Sequence, residues 1–307
     1  MSRLQDLAHH QGAAAVGLAI GGLFWGIYWV PLRILEQIGM GGAWPGTFVF
    51  VGATVTVLPL IWRRRSALWS NWWALVSCGL LTGAAFSLFS TAIILTDVVR
   101  AILLFYLTPV WSTLLGLVYL GERLTTARLA ALALGITGML IMLGLGAGWP
   151  VPRSLGDILA LASGLVWAVG SLRLYQASHI SVPEQVVAFV IGGLLIALLT
   201  VAIGGPVMNP IGGAQVLGAA LWPLAITSLF VVPTLFLTVW PATVLPPARV
   251  GLILMTEIVA GVISAALFAG EVFGWREATG SLMIVSAGLV EVMGHRVSRD
   301  EIQPDRG

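Results

Sequence analysis

RAILLFYLTPVWSTLLGLVYLGE at residues 100–122 and RVGLILMTEIVAGVISAALFAGE at residues 249–271 are weak copies of one another, set 149 residues apart. Each opens on Arg (Arg100, Arg249), runs through one long apolar stretch and closes on Gly-Glu (Gly121-Glu122, Gly270-Glu271). A second matched pair lies upstream, where Gly22-Leu23-Phe24-Trp25 corresponds to Gly164-Leu165-Val166-Trp167 and puts one Trp near the middle of each apolar segment. Few residues are identical, so the correspondence rests on matched hydropathy and punctuation. Two pairs in the same order divide the chain into self-similar halves, and in a membrane protein such halves place a substrate site at their interface, near the bilayer midplane.

The surrounding composition makes the membrane reading firm. The chain is 58% hydrophobic and 9% charged over 307 residues, against about 25% charged in an ordinary soluble domain. Ten apolar segments of roughly 20 residues, the length that crosses about 30 Å of hydrocarbon, fall at 14–36, 44–62, 73–95, 99–120, 127–146, 156–177, 185–204, 217–240, 246–269 and 275–294. Lipid offers backbone groups no partners, so the segments are expected to be helices; a barrel would alternate apolar and polar residues. The first segment has too long an apolar run, and too little of a cleavage site, for a signal peptide. It is read as an uncleaved helix.

All fifteen basic residues are Arg, and positive residues concentrate in short cytoplasmic loops. With the N-terminus inside, eleven fall on the cytoplasmic side (Arg3, Arg63, Arg64, Arg65, Arg123, Arg128, Arg173, Arg249, Arg296, Arg299, Arg306) and four outside (Arg33, Arg100, Arg153, Arg276). This predicts cytoplasmic termini and an even number of spans. Five spans per half is odd, so the second half enters the membrane from the opposite side. The expected fold class is an all-α integral membrane protein of ten transmembrane helices in two inverted five-helix repeats. Residues 1–148 form the first repeat, 149–296 the second, and 297–307 a polar cytoplasmic tail. The net charge of +2 is an orientation signal and gives no ground for nucleic-acid binding.

The pairs Gly17/Gly21, Gly22/Gly26 and Gly79/Gly83 have the spacing that lets helices approach closely in lipid. Pro31, Pro109, Pro223 and Pro233 are expected to interrupt spans, Pro109 being the strongest candidate for a functional break. The Gly- and Pro-rich link from Gly146 to Arg153, with Trp149, reads as an outer connection between the halves.

Nine of thirteen Trp (Trp44, Trp62, Trp69, Trp72, Trp73, Trp149, Trp222, Trp240, Trp275) sit near span ends, where amphipathic rings favour the interface. Trp25, Trp29, Trp111 and Trp167 lie within spans. Trp25 and Trp29 share a helix face by i,i+4 spacing, and a buried indole N–H needs a partner, which a polar cavity supplies. The repeat sets Trp25 and Trp167 at equivalent positions, which favours cavity lining for these two over packing against lipid or another helix; packing is the simpler account of Trp111.

Glu257 stands mid-span after Thr256; a charge there costs about 2.5 to 3.5 kcal/mol on insertion scales, which makes it a functional candidate. The alternative, a protonated Glu hydrogen-bonded to a neighbouring helix, ranks behind a functional role. Glu122 and Glu271 read as capping or turn residues, and Asp97 with Arg100 as a local ion pair. Phe86, Ser87, Phe89, Ser90 and Thr91 mix rings and hydroxyls on the third segment; Tyr106 and Ser171 add to them. Together these suit a molecule with an apolar ring and a polar head, such as an aromatic amino acid whose ammonium rests on indole faces or on Glu257.

Trp25 and Trp167, the run from Arg100 through Leu107-Thr108-Pro109 to Gly121-Glu122-Arg123, and its repeat ending at Gly270-Glu271 resemble the bacterial EamA-type members of the drug/metabolite transporter superfamily. Within that group the chain is most similar to the aromatic amino acid exporters, over essentially its whole length. The family often carries Glu-Pro in its ninth helix; here Glu257 is followed by Ile258, which argues against a broken helix at that point. The resemblance implies a central cavity opening alternately to either side, export across the bacterial inner membrane, and contacts to the substrate from Trp25, Trp29, Ser90, Tyr106, Trp167 and Glu257; with Phe86, Trp111 and Ser171 from the reading of the residues above, these make up the expected substrate-binding set.

Two transport readings follow: a facilitative exporter of aromatic and other apolar amino acids, and a proton-coupled exporter of drugs or other metabolites using Glu257. An intramembrane enzyme is disfavoured because no catalytic pair converges within the spans. No cofactor is expected. There is no nucleotide-binding motif, Cys78 is single, and His9, His10, His179 and His295 lie in tails or at span ends. The expected partners are a small-molecule substrate and the lipid bilayer.

Overall fold

The computed structural model describes residues 2–96, 98–143, 152–208, 210–211, 213–219, 221–268 and 274–300. Asp97, the link around Trp149, the Gly270-Glu271 end of the second copy and residues 301–307 lie outside them, as do the side chains of Arg100, Trp222 and Pro223. Among the described residues every regular element is a helix: α1 Ser2–Trp25, α2 Trp29–Gln37, α3 Trp44–Ser70, α4 Trp72–Leu95, α5 Val98–Phe105, α6 Thr108–Tyr119, α7 Thr126–Leu143, α8 Leu155–Gln176, α9 Val182–Met208, α10 Ala214–Ala219, α11 Leu221–Val244, α12 Pro247–Leu254, α13 Thr256–Phe268 and α14 Trp275–Asp300. Among the described residues six stretches are long and apolar enough to cross a bilayer: 10–37, 44–70, 72–95, 155–176, 182–205 and 247–268. The chain is a multi-pass, all-helical membrane protein. Helix α14 continues to Asp300, past the position where a polar tail was expected to begin.

Glycine governs which helices meet. Gly79 and Gly83 on α4 face Ala188 and the Gly192-Gly193 backbone on α9, with no room for a Cβ at any of the four glycines. Gly17 and Gly21 on α1 rest against Trp240 and Leu237 of α11, and Gly22 and Gly26 against Thr256, Glu257, Ala260 and Gly261 of α13. In lipid, where burying apolar surface between helices gains little, such backbone proximity gives the van der Waals contact that holds a bundle together.

The largest helix contacts run between the two halves of the chain. Helix α4 packs on α8 and α9, α3 on α9, α1 on α11 and α13, α6 on α12, and α7 on α14. At one end, Asp157, 1% exposed, accepts from the Thr96 hydroxyl at 2.7 Å and from the Arg153 N–H at 2.9 Å, tying α4 to α8. At the other, Arg64 of α3 lies 3.5 Å from the buried Glu184 of α9.

Pro233 and Pro241 lie inside an uninterrupted α11, so Pro233 does not break its helix as expected. Besides the kink at Gly205 of α9, three other sites are broken among the described residues. Residues 26–28 separate α1 from α2, Tyr106 and Leu107 separate α5 from α6, and Met255 separates α12 from α13.

Candidate functional site

Each break frees one carbonyl, and each freed carbonyl is taken up by a side chain. Pro31 has no N–H to give Ile27, so Val30 N–H donates to the Ile27 carbonyl instead, at 3.1 Å. The Gly26 carbonyl then accepts from the Ser264 hydroxyl of α13 at 3.0 Å. Pro109 likewise leaves the Phe105 carbonyl without a helical donor, and the Thr108 hydroxyl donates to it at 2.6 Å. At the third break Ile258 N–H donates to Met255 at 3.0 Å rather than to Leu254, and the Tyr106 hydroxyl reaches across to the Leu254 carbonyl at 3.0 Å.

The third break corrects the sequence reading, in which Ile258 in place of Pro argued for a continuous helix. A proline is one way to release a carbonyl; a donor from another helix, presented at the right height, is a second. The first break corrects the i,i+4 argument as well. Trp25 ends α1 and Trp29 begins α2, so the two rings do not share a face of one helix. They meet the same space because the chain turns between them.

That space is a narrow cleft lined by Trp25, Gly26, Tyr28, Trp29, Phe89, Ile93, Ile102, Glu257 and Gly261. It has room for about one water, so a larger guest enters only when the helices part. The Trp25 indole donates to the Thr238 hydroxyl of α11 at 2.8 Å, and the Trp29 indole to the Ser264 hydroxyl at 3.0 Å. Tyr28 and Ser90 share a hydrogen bond of 2.9 Å. Both indoles are therefore fixed by their polar edges, leaving their apolar faces to whatever lies between them.

Glu257, 6% exposed, is held by Tyr106, whose hydroxyl donates to Oε2 at 2.5 Å. The carboxyl thus sits at the start of α13, where the first-turn N–H groups favour negative charge, and on the wall of an aromatic cleft.

The predicted residues divide into three groups. Trp25, Trp29 and Glu257 line the cleft, with Tyr106 and Ser90 one hydrogen bond behind it. The Phe86 ring lies tilted at 4.5 Å from Trp25 and continues to Trp167 at 5.4 Å and Phe189 at 5.3 Å, so Phe86 and Trp167 form an aromatic wall behind the cleft. Trp167 is fully buried and its indole N–H finds no acceptor among the described residues. Trp111 and Ser171 are outside this assembly: the Trp111 N–H is buried without an acceptor among the described residues, and the Ser171 hydroxyl donates to Ala168 of its own helix at 2.9 Å.

Sequence reasoning missed Tyr28, Thr238 and Ser264. Ser264 lies seven residues after Glu257, on the same helix face, and Tyr28 falls between two singled-out Trp; both were within reach of spacing. Thr238 carried no signal. Glu122 is a turn residue as expected, following Gly121 at φ +63° and pairing with Arg128 at 2.5 Å.

A helical membrane bundle with broken helices meeting at a polar cleft defines the general class. Residues 12–144 match the EamA-like transporter family, in agreement with the resemblance drawn from the residues. A "Probable amino-acid metabolite efflux pump" of Salmonella typhimurium (strain LT2) is 26% identical over 194 residues, which span 60% of this chain and 64% of that relative's length. A crystal structure of a protein superposes with a TM-score of 0.69 at 17% identity, covering 92% of this chain and 99% of that one. At that identity the likeness is one of fold.

Proposed function

We propose that the protein is a transporter and not an enzyme, carrying aromatic and other apolar amino acids out of the cell by alternating access, without ATP. The observation that carries this reading is the cleft itself, where Trp25, Tyr28, Trp29 and Phe89 face a buried carboxyl at a helix break. An indole or phenyl body would lie against the rings and its ammonium against Glu257, with cation-π attraction adding to the ion pair. The name borne by the Salmonella relative points the same way.

The architecture proposed with it is ten crossings in two inverted five-helix repeats. What supports it is the pattern of contacts. If each half is taken as five spans, with α1–α2, α3, α4, α5–α6 and α7 set against α8, α9–α10, α11, α12–α13 and α14, the contact of α1 with α11 has its counterpart in α8 with α4, and that of α4 with α9 in α11 with α3. Likewise α1 with α13 answers to α8 with α5 and α6, while the pairs α3 with α9, α6 with α12 and α7 with α14 map onto themselves. A two-fold axis in the membrane plane generates such pairs, and the site lies where the axis passes. The bacterial inner membrane and cytoplasmic termini complete the proposal, on the Arg distribution and the family resemblance.

The test is uptake of labelled phenylalanine or tryptophan into liposomes holding the purified protein. Saturable uptake without a pH gradient is expected, and no uptake with either gradient or none would remove amino acids as substrates. A second reading, proton-coupled export, is favoured by one observation. The Tyr106 hydroxyl has one hydrogen and faces two acceptors, the Leu254 carbonyl and Glu257 Oε2, so a proton on the carboxyl would supply the missing donor. Under that reading Glu257→Gln abolishes the dependence on a pH gradient; under the facilitative one, transport by the wild type ignores the gradient from the start.

A further inference from the structure

The sequence WRRRSALWSNWW at residues 62–73 is not used by the cleft, and the structure gives it an unusual setting. Helix α3 is 27 residues long, about 40 Å at 1.5 Å per residue, which exceeds the roughly 30 Å of a hydrocarbon core. Trp44 and Trp62 on this helix are about 27 Å apart along its axis, and as interfacial rings they bracket the apolar layer. Everything from Arg63 to Trp73 therefore lies at headgroup depth.

Four indoles stand exposed there. Trp62 is 73% exposed, Trp69 80%, Trp73 72% and Trp72 43%. Trp62, Arg65 and Trp69, at i, i+3 and i+7, occupy one face of α3, and the Arg65 guanidinium lies 4.9 Å over the Trp62 ring. Past the turn at Asn71, Trp72 and Trp73 stack at 3.8 Å. Arg63 and Arg65 are exposed, and residues 44–96 contain no Asp or Glu. Arg64 turns instead to Glu184. At the opposite end of the bundle the nearest equivalent, Arg33, is paired with Glu36 at 2.6 Å.

We propose that this α3–α4 hairpin is a binding site for the headgroup of an anionic phospholipid, with Arg63 and Arg65 on the phosphodiester and the glycerol and upper acyl chains against Trp62, Trp69 and Trp73. The forked guanidinium matches a phosphate oxygen pair, and Arg65 is held over an indole, so little side-chain freedom remains to be lost on binding. The excess of positive charge selects an anionic over a zwitterionic lipid, since no carboxylate is present on the hairpin to meet a choline. Nothing in this depends on the transported substrate or on which leaflet the hairpin faces.

The experiment is native mass spectrometry of the purified protein in detergent after adding phosphatidylglycerol or phosphatidylcholine of matched chains. Wild type is expected to retain phosphatidylglycerol in preference to phosphatidylcholine, and retention should fall about fivefold for each arginine removed in Arg63→Gln and Arg65→Gln. Arg276→Gln, whose guanidinium lies over Trp275 at 5.7 Å, should leave retention unchanged. Equal retention of the two lipids by wild type, or undiminished retention by the double variant, overturns the proposal. So does complete displacement of the lipid by inorganic phosphate, which would make this a site for a free anion. A double variant that elutes as a single symmetric peak is folded; should it not, the wild-type preference between the two lipids still decides.

Discussion

The two helix breaks that meet at the centre of the molecule occupy corresponding places, 149 residues apart, yet they are satisfied differently. At the first, the freed carbonyl is Phe105 and the hydroxyl of Thr108, on the same chain segment, closes onto it. At the second, the freed carbonyl is Leu254, and Glu257 stands where Thr108 stood. A carboxylate does not donate to a carbonyl, so the donor comes from the other break, from Tyr106. The surroundings remain paired: Gly22 of α1 rests on Thr256 and Glu257, and Gly164 of α8 on Phe105 and Thr108. The first break is thus closed from within its own segment, its Thr108 hydroxyl lying also 3.1 Å from the Gly164 carbonyl of α8, whereas the second depends on its counterpart. That asymmetry places a carboxyl on the wall of the cleft on one side only.

The largest effects should come from the feature the two breaks share. A Cβ at Gly26 would stand 2.5 Å from the Ala260 Cβ and 2.6 Å from the Glu257 carbonyl, and one at Gly164 would collide with Phe105 and stand 2.9 Å from the Thr108 hydroxyl. Overpacking of this kind costs about 1 to 3 kcal/mol or more. Gly26→Val and Gly164→Val are both expected to lose the monodisperse peak in size-exclusion chromatography. A well-folded Gly164→Val beside a collapsed Gly26→Val would show that the glycine contact at the first break bears less of the packing than the one at the second.

The next effect belongs to one break alone. Glu257→Ala should cut amino acid transport about ten- to hundredfold, the 1.5 to 3 kcal/mol that a hydrogen bond or ion pair to a charged group carries, in liposome uptake at equal protein content. Thr108→Val, the corresponding change, should leave transport near normal. Equal loss in both would mean that the cleft reads the two breaks alike.

Tyr106→Phe removes the donor shared by Leu254 and Glu257, and buried acceptors left without one cost about 1 to 3 kcal/mol. It should lower the thermal unfolding midpoint more than Thr108→Val, whose lost hydroxyl contributes about 1 kcal/mol. The reverse order of midpoints would show that the second break does not rely on the first.

How far the sequence anticipated the site can be followed residue by residue. Gly22/Gly26 and Gly79/Gly83 were legible as packing positions because small residues at that spacing have one common use in lipid. Glu257 was legible because a carboxyl inside an apolar run is expensive, and the cost is a property of the residue and its neighbours in sequence. Trp25 was legible, but its acceptor was not: Thr238 is 213 residues away, and in a span full of Thr and Val nothing marks one hydroxyl as a partner. Trp167 and Trp25 look alike in the repeat, yet the former is sealed behind Phe86 and the latter opens on the cleft. Trp111 and Ser171 were drawn in by residue type, and the structure leaves both away from the cleft.

By itself the sequence determined that the chain is helical and membrane-embedded, where most of its apolar segments lie, and that Pro109 would break one of them, because these follow from local composition and from the backbone chemistry of single residues. The break at Met255, the bond from Tyr106 to Glu257 and the convergence of Trp25, Trp29 and Phe89 were decided by the tertiary structure. Each depends on a donor and an acceptor, or two rings, contributed by segments distant along the chain, and only the packing of glycine faces brings those segments to the same depth.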